Sequence, residues 1–376
     1  MFRLNILQKV WSSQSQQFQK CTFIKPSYLP YTSSYFIFNI FKNKNQDKEN
    51  EAKKKFEEGV NYMKQRNFKE AISSFNSTIE LLKGFGEKNT GMLNSYYQIG
   101  NAYYFQEDYE NAIDYYRRAL YLGVNTFGEK SIYLLNVYNS IGIYYENQND
   151  LDQALQNYEA ALQIGVHNYK KKHPTLGNLA TNIGGIYHKK GDYDTAFHYY
   201  SQALDVYLET LPEEHPAIAT VYNNIGSVAH NQGDFSKGLE FYQKALKIKA
   251  KLMGENHPAL STIYVNLGSV YYNIKKYKEA KENLEKGLKL EMKVSGENSI
   301  NVGHIYNSLG LVSEAEKNFE EALAHYKKSL EIYEKLGPNT KTQIETICKN
   351  IINIYEQMGA PEKAKEYESK LMPNNS

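Results

Sequence analysis

The sequence predicts an all-α fold, an α-solenoid of about eight helix-turn-helix repeats, on three observations. Glycines stand at Gly100, Gly142, Gly184, Gly226, Gly268 and Gly310, each 42 residues after the last, and Gly59 precedes the series by 41. Companion residues keep the same phase. An alanine follows twelve residues later at Ala71, Ala112, Ala154, Ala196, Ala280, Ala322 and Ala364, and an aromatic ring sixteen later at Phe75, Tyr116, Tyr158, Tyr200, Tyr242 and Tyr326. Within one period, Ala154, Tyr158, Ala161 and Leu162 fall at i, i+4, i+7 and i+8, the stripe of a helix with one buried face. A period of this length marks stacked supersecondary units that bury their apolar faces against one another. It overrides the two or three globular domains that 376 residues would otherwise suggest.

Residues 1–46 are a different material. They contain no Asp or Glu, while Arg3, Lys9, Lys20, Lys25, Lys42 and Lys44 give them a charge of +6 and leave the remainder slightly acidic. Wound as a helix, Phe2, Ile6 and Val10 share a face opposite Asn5, Gln8 and Lys9. Scattered positives, hydroxyls and modest amphipathicity without acids are the requirements of a mitochondrial-type targeting segment, although such segments favour Arg and this one has only Arg3. The alternative is a disordered, Lys/Asn/Gln-biased tail. On the first reading, Trp11 is removed with the segment and the processed protein has no tryptophan. No continuous apolar core leads to a small-residue cleavage site, so a secretory signal is excluded. The longest apolar stretch, Tyr35 to Phe41, is far short of the ~20 residues that cross a bilayer.

The array is expected over residues 50–371, with 372–376 a short tail. The first helix of each repeat carries the glycine, except the last, which has Ile352, and a tyrosine follows three residues later at Tyr62, Tyr103, Tyr145, Tyr187, Tyr271 and Tyr355, with Ala229 and Ser313 as exceptions. A helical glycine is disfavoured by about 1 kcal/mol against alanine, so its recurrence needs a reason, and close approach of the two helices supplies one. The second helix is announced by Asn67, Asp108, Asp150, Asp192, Asp234 and Asn318, whose side chains can accept the unpaired amide hydrogens of a first turn. Pro174, Pro216 and Pro258 open the following first helix, where a missing N–H does no harm. The end repeats are degenerate, with Lys55, Glu58, Cys348 and Ile352 at motif positions, as terminal caps are.

Composition and motifs exclude several classes. The chain is 41% hydrophobic, enough for a large core. Its two cysteines, Cys21 and Cys348, cannot form a disulfide framework. Gly123 to Ser131 nearly spells a phosphate loop, but Glu129 separates Gly128 from Lys130 and no strand precedes it. No Ser/His/Asp or Cys/His constellation stands outside the repeat, so no enzyme and no cofactor are expected. The slightly acidic remainder lacks the basic stripe that nucleic-acid binding requires.

The run Tyr96-x-x-Ile99-Gly100-x-x-Tyr103, followed by Ala112-x-x-x-Tyr116, resembles the tetratricopeptide repeat signature, with Tyr in place of its usual Trp. The usual repeat has ~34 residues; the longer period resembles the kinesin-light-chain type, as do the links Lys172-His173-Pro174, Glu213-Glu214-His215-Pro216 and Gly254 to Pro258. So does Asn223-Asn224-Ile225-Gly226. The resemblance implies a right-handed superhelix whose first helices line a concave groove for a peptide or partner protein. On that basis Asn139, Asn182, Asn223, Asn224, Asn266 and Asn307 are candidate groove residues. An amide offers donors and an acceptor, so a ladder of them can pair with an extended backbone. The alternative is that they bridge adjacent repeats.

One turn past the glycine, His188 and His230 stack with Glu146 and Glu314 along the same groove, and Tyr104 and Tyr272 share that register. A polar groove wall explains the two histidines better than a metal site, and the link explains His173, His215 and His257. A clamp for a partner's C-terminal carboxylate is disfavoured, because only Lys64, Lys189 and Lys349 are scattered on that face. The expected function is an adaptor or assembly factor binding a protein partner in mitochondria. The alternative is a cytoplasmic cargo adaptor like a kinesin light chain, against which Asp47 to Lys55 is too short for several pairing heptads.

Overall fold

In the computed structural model, residues 46–83, 90–169 and 171–371 are described; the expected targeting segment, apart from Gln46, and the 372–376 tail lie outside them. The described residues form sixteen α-helices and no strand. They fall into two units that part between Leu211 and Pro212. The first unit contains α1 (Gln46–Lys64), α2 (Phe68–Leu82), α3 (Thr90–Phe105), α4 (Tyr109–Phe127), α5 (Leu135–Asn147), α6 (Leu151–Asn168), α7 (Pro174–Lys190) and α8 (Tyr193–Thr210). The second contains α9 (Pro216–Asn231), α10 (Phe235–Met253), α11 (Ser261–Asn273), α12 (Tyr277–Ser295), α13 (Ile300–Ala315), α14 (Phe319–Leu336), α15 (Lys341–Gln357) and α16 (Pro361–Ser369). Odd and even helices pair, so each unit holds four repeats; the second helices begin one residue after Asn67, Asp108, Asp150, Asp192, Asp234 and Asn318, as the sequence marks them.

The periodic glycine is where the two helices of a repeat meet. A Cβ on Gly100 would lie 2.6 Å from the Tyr116 ring, and one on Gly142 2.6 Å from Tyr158. Gly59 stands in the same way under Phe75, Gly184 under Tyr200, Gly226 under Tyr242 and Gly310 under Tyr326. The ring therefore lies on the glycine rather than filling a gap elsewhere, and the pair is one packing unit. Tyr116, Tyr158, Tyr242 and Tyr326 are among the largest fully buried side chains. Removing an aromatic ring of this size from water contributes about 2–3 kcal/mol.

The turn inside each repeat has one residue in the left-handed region, always seven past the glycine position. Gly191, Gly233 and Gly359 suit it, whereas Arg66, Glu107, Asn149, Lys275 and Lys317 adopt it with φ of 59 to 64°. The following residue caps the second helix. Asp108, Asp150, Asp192 and Asp234 each accept the backbone N–H three residues on. Asn67 and Asn318 occupy the position without a side-chain cap bond, and Asn318 instead donates to Glu321 at 3.0 Å.

The His-Pro links have a local explanation. His173, His215 and His257 each accept, through Nδ1, the backbone N–H two residues on at 3.2 Å. Proline then takes the first helical position with its φ already set. The added length of the repeat goes largely into the second helices, which span 18 or 19 residues in the six central repeats.

Candidate functional site

Side by side within each unit, the first helices are joined by polar rungs that connect residues 43 apart, one more than the period. Asn182 donates from Nδ2 to Asn139 Oδ1 at 3.0 Å in the first unit. In the second, Asn266 donates to Asn223 and Asn350 to Asn307, both at 3.1 Å. The neighbouring junction of the first unit is weaker, with the Ser140 hydroxyl 3.4 Å from that of Tyr97. Five of the six candidate asparagines thus bridge adjacent repeats, and Asn224 is half-buried and takes part in neither rung of its unit.

Bridging does not exhaust an amide. Each pair engages one carbonyl oxygen and one nitrogen, leaving the other nitrogen and the other oxygen for a further partner. At Asn307, which is 0% exposed, Nδ2 meets no partner among the described residues. Asn223 and Asn266 are also nearly enclosed, whereas Asn139, Asn182 and Asn224 are half-buried and reachable from solvent.

A second set of rungs lies two turns along. Asn147 donates to the Tyr104 hydroxyl at 2.6 Å, Lys189 to Glu146 at 2.7 Å, and Asn273 pairs with His230 Nε2 at 2.8 Å. Again the partners are 43 apart. Glu146 also accepts the buried Tyr158 hydroxyl at 2.7 Å, and Glu314 does the same for Tyr326 while accepting from Asn353 at 2.8 Å. Burial and the adjacent carboxylate push both tyrosines well above the usual phenol range.

His188 and His230 are buried in this wall, tilted against Tyr193 and Phe235 with ring centroids 5.6 Å apart. Desolvation pushes each down to about 4, so both are neutral near pH 7. Tyr272 is half-buried against Tyr277, and burial raises its hydroxyl to about 12. Among the described residues no group of three or more His, Cys, Asp or Glu is placed to hold a metal ion. Asn147, Asn273, Asn350 and Asn353 were not candidates on sequence. The signal that finds the first three is the 43-residue spacing, which marks neighbours, where 42 marks equivalents; Asn353 lies 39 residues from Glu314 and is not found by it.

The tetratricopeptide repeat model matches at residues 57–122, 91–165, 133–209, 175–251, 217–293 and 260–335. No curated protein matches. Among solved structures, BtubC (BKLC) from P. vanneervenii is 21% identical, covering 61% of this chain and 90% of its own at a TM-score of 0.51. The apo form of RapI is 17% identical over 73% of this chain and 94% of its own, at 0.55. A putative kinesin light chain with nearly identical repeats from Podosopora anserina is 18% identical over 54% and 96%, at 0.46. The first two share the fold. Repeats of this type imply a scaffold for protein–protein interaction and are generally without catalysis. Matched from residue 57 to residue 335, the chain belongs to the tetratricopeptide repeat family.

Proposed function

We propose that the first-helix faces hold an extended segment of a partner protein, recognised mainly through its backbone. The observation that carries this is the set of paired amides. The reachable Asn139–Asn182 rung fixes each side chain's orientation in advance and leaves a donor and an acceptor, the complement of one peptide group. The face around them is polar, and its carboxylates are already engaged, Glu146 by Lys189 and Tyr158 and Glu314 by Tyr326 and Asn353. In the first unit Asn139 and Asn182 are the amides a ligand reaches, with Tyr104 as a half-buried wall; in the second, taken by itself, the reachable amide is Asn224, with Tyr272 half-buried. Buried His188 backs the face of the first unit, and buried His230, Asn223, Asn266 and Asn307 that of the second.

The test is site-specific photo-crosslinking in cells. A photoreactive residue replacing Asn139 or Tyr104, both in the first unit, is expected to trap one discrete segment of a partner, and one replacing the exposed Tyr121 is not. Equal labelling from all three positions would overturn the reading. The acid-free residues 1–46 support import into mitochondria and a role as an assembly or complex-associated factor there. The N-terminus of the endogenous protein decides this: a shortened chain lacking Trp11 is expected, and an intact leader on a cytosolic chain would contradict it.

A further inference from the structure

The second unit carries an exposed cationic face that the amide ladder does not use. Eighteen residues past the glycines of its three full repeats stand Lys244, Lys286 and Lys328. Three further on come Lys247 and Lys289, with Glu331 the exception, and four beyond those Lys251, Lys293 and Lys335. These positions share one helix face on α10, α12 and α14, and all are exposed except the half-buried Lys328. The fold does not demand lysine here. The same registers of the first unit hold Arg118, Ala160 and Gln202, then Tyr121, Gln163 and Asp205, then Asn125, His167 and Glu209. Helix dipoles favour cations only within the last turn, which leaves the first two columns unexplained.

Some of this charge is answered locally: Glu240 pairs with Lys244 at 2.6 Å, and Glu331 with Lys335 at 2.6 Å and Lys328 at 3.3 Å. Among the described residues Lys247, Lys289 and Lys293 are in no ion pair. Beside Lys251, Lys293 and Lys335, the last lysine on each helix, an aliphatic side chain stands in water. Leu252, Val294 and Leu336 are 46%, 66% and 38% exposed, and Met253 adjoins Leu252.

We infer that this face of the second unit docks on an anionic phospholipid surface, its lysines on headgroup phosphates and its aliphatic edge at the acyl boundary. Lysine columns bordered by exposed leucine and valine are the composition of an interfacial membrane surface. Protein interfaces are depleted in lysine and enriched in arginine, and residues 212–376 contain no arginine. Nucleic acid gains nothing from the aliphatic edge. The nearby rings of Tyr222, Phe241 and Tyr264, which could stack on bases, already lie under Lys244 and Lys286.

The experiment is co-sedimentation of the full chain with vesicles of phosphatidylcholine alone or with phosphatidylserine. Binding is expected only with phosphatidylserine and is expected to be lost at high salt. K247Q, K289Q and K293Q together should weaken it about a hundredfold at ~1 kcal/mol per lysine, with an unchanged melting temperature. L252S, V294S and L336S together should weaken it as well while keeping the salt dependence. Residues 1–46 are intact in both variants, so binding that persists undiminished belongs to that basic segment and overturns the assignment. Equal binding to phosphatidylcholine, or lysine-dependent binding of single-stranded RNA without vesicle binding, overturns it too.

Discussion

Asn266 reaches back 43 residues to hydrogen-bond Asn223, and that single contact states how these repeats are joined. The junction between first helices is polar, and its geometry is set by side-chain amides rather than by apolar packing alone. Asn223→Ala should lower stability by about 1–2 kcal/mol, because the nearly enclosed Asn266 nitrogen then loses its acceptor. The double variant with Asn266→Ala should cost less than the sum of the singles, with a coupling of about 1 kcal/mol by chemical denaturation.

Gly142→Ala would be stabilising by about 1 kcal/mol in an isolated helix. Here the new Cβ meets the Tyr158 ring at 2.6 Å, so the substitution should instead destabilise by about 1–3 kcal/mol. Combining it with Tyr158→Leu should recover part of that loss in thermal melts, since the smaller side chain can move aside.

Glu146 holds the buried Tyr158 hydroxyl and Lys189 together. Glu146→Ala leaves that hydroxyl without an acceptor and should cost about 2–3 kcal/mol. Glu146→Gln keeps an acceptor and should cost less. Denaturant midpoints of the two variants distinguish a packing role from a hydrogen-bonding one.

His188, His230 and His304 are buried, and desolvation lowers each to about 4. An unfolded chain protonates histidine near pH 6.5. The unfolded state therefore takes up the proton first as pH falls, and stability should decline between about pH 6.5 and pH 4, by about 2 kcal/mol per histidine near pH 5. Melting at pH 7.5 and pH 5 checks this. His230→Gln, which can still pair with Asn273, should flatten part of the dependence.

Lys275 and Lys317 hold φ of 62° and 63° in turns where other repeats have glycine. Replacing either with Gly should raise stability by up to about 1 kcal/mol, since a side chain in the left-handed region is strained. Gly233→Ala should act in the opposite direction in the same melting assay.

Much of the fold was legible because each repeat restates it. The glycine, the alanine and the ring sixteen residues on fix which helices pair and through which face, and Asp108, Asp150, Asp192 and Asp234 fix where second helices begin. The site was legible only in part. Period-42 alignment finds residues in equivalent places, such as Asn139 and Asn223, but contacts between first helices run between residues 43 apart. Reading down equivalent columns therefore finds one half of each rung in one repeat and its partner only in the adjacent column. The lysine face was hidden for another reason. It lies in one unit alone, and the glutamates around it cancel its charge in any sum over the chain.

Recognition through the backbone is the central claim, and a synthetic peptide of the crosslinked segment tests it most directly. Its affinity for the full chain would be compared with those of versions N-methylated at successive amides and of versions carrying single alanines. Losing a buried backbone hydrogen bond should weaken binding about ten- to a hundredfold at amides facing Asn139 or Asn182, more than any one alanine does. An affinity indifferent to N-methylation, but abolished by changing one side chain, would contradict it.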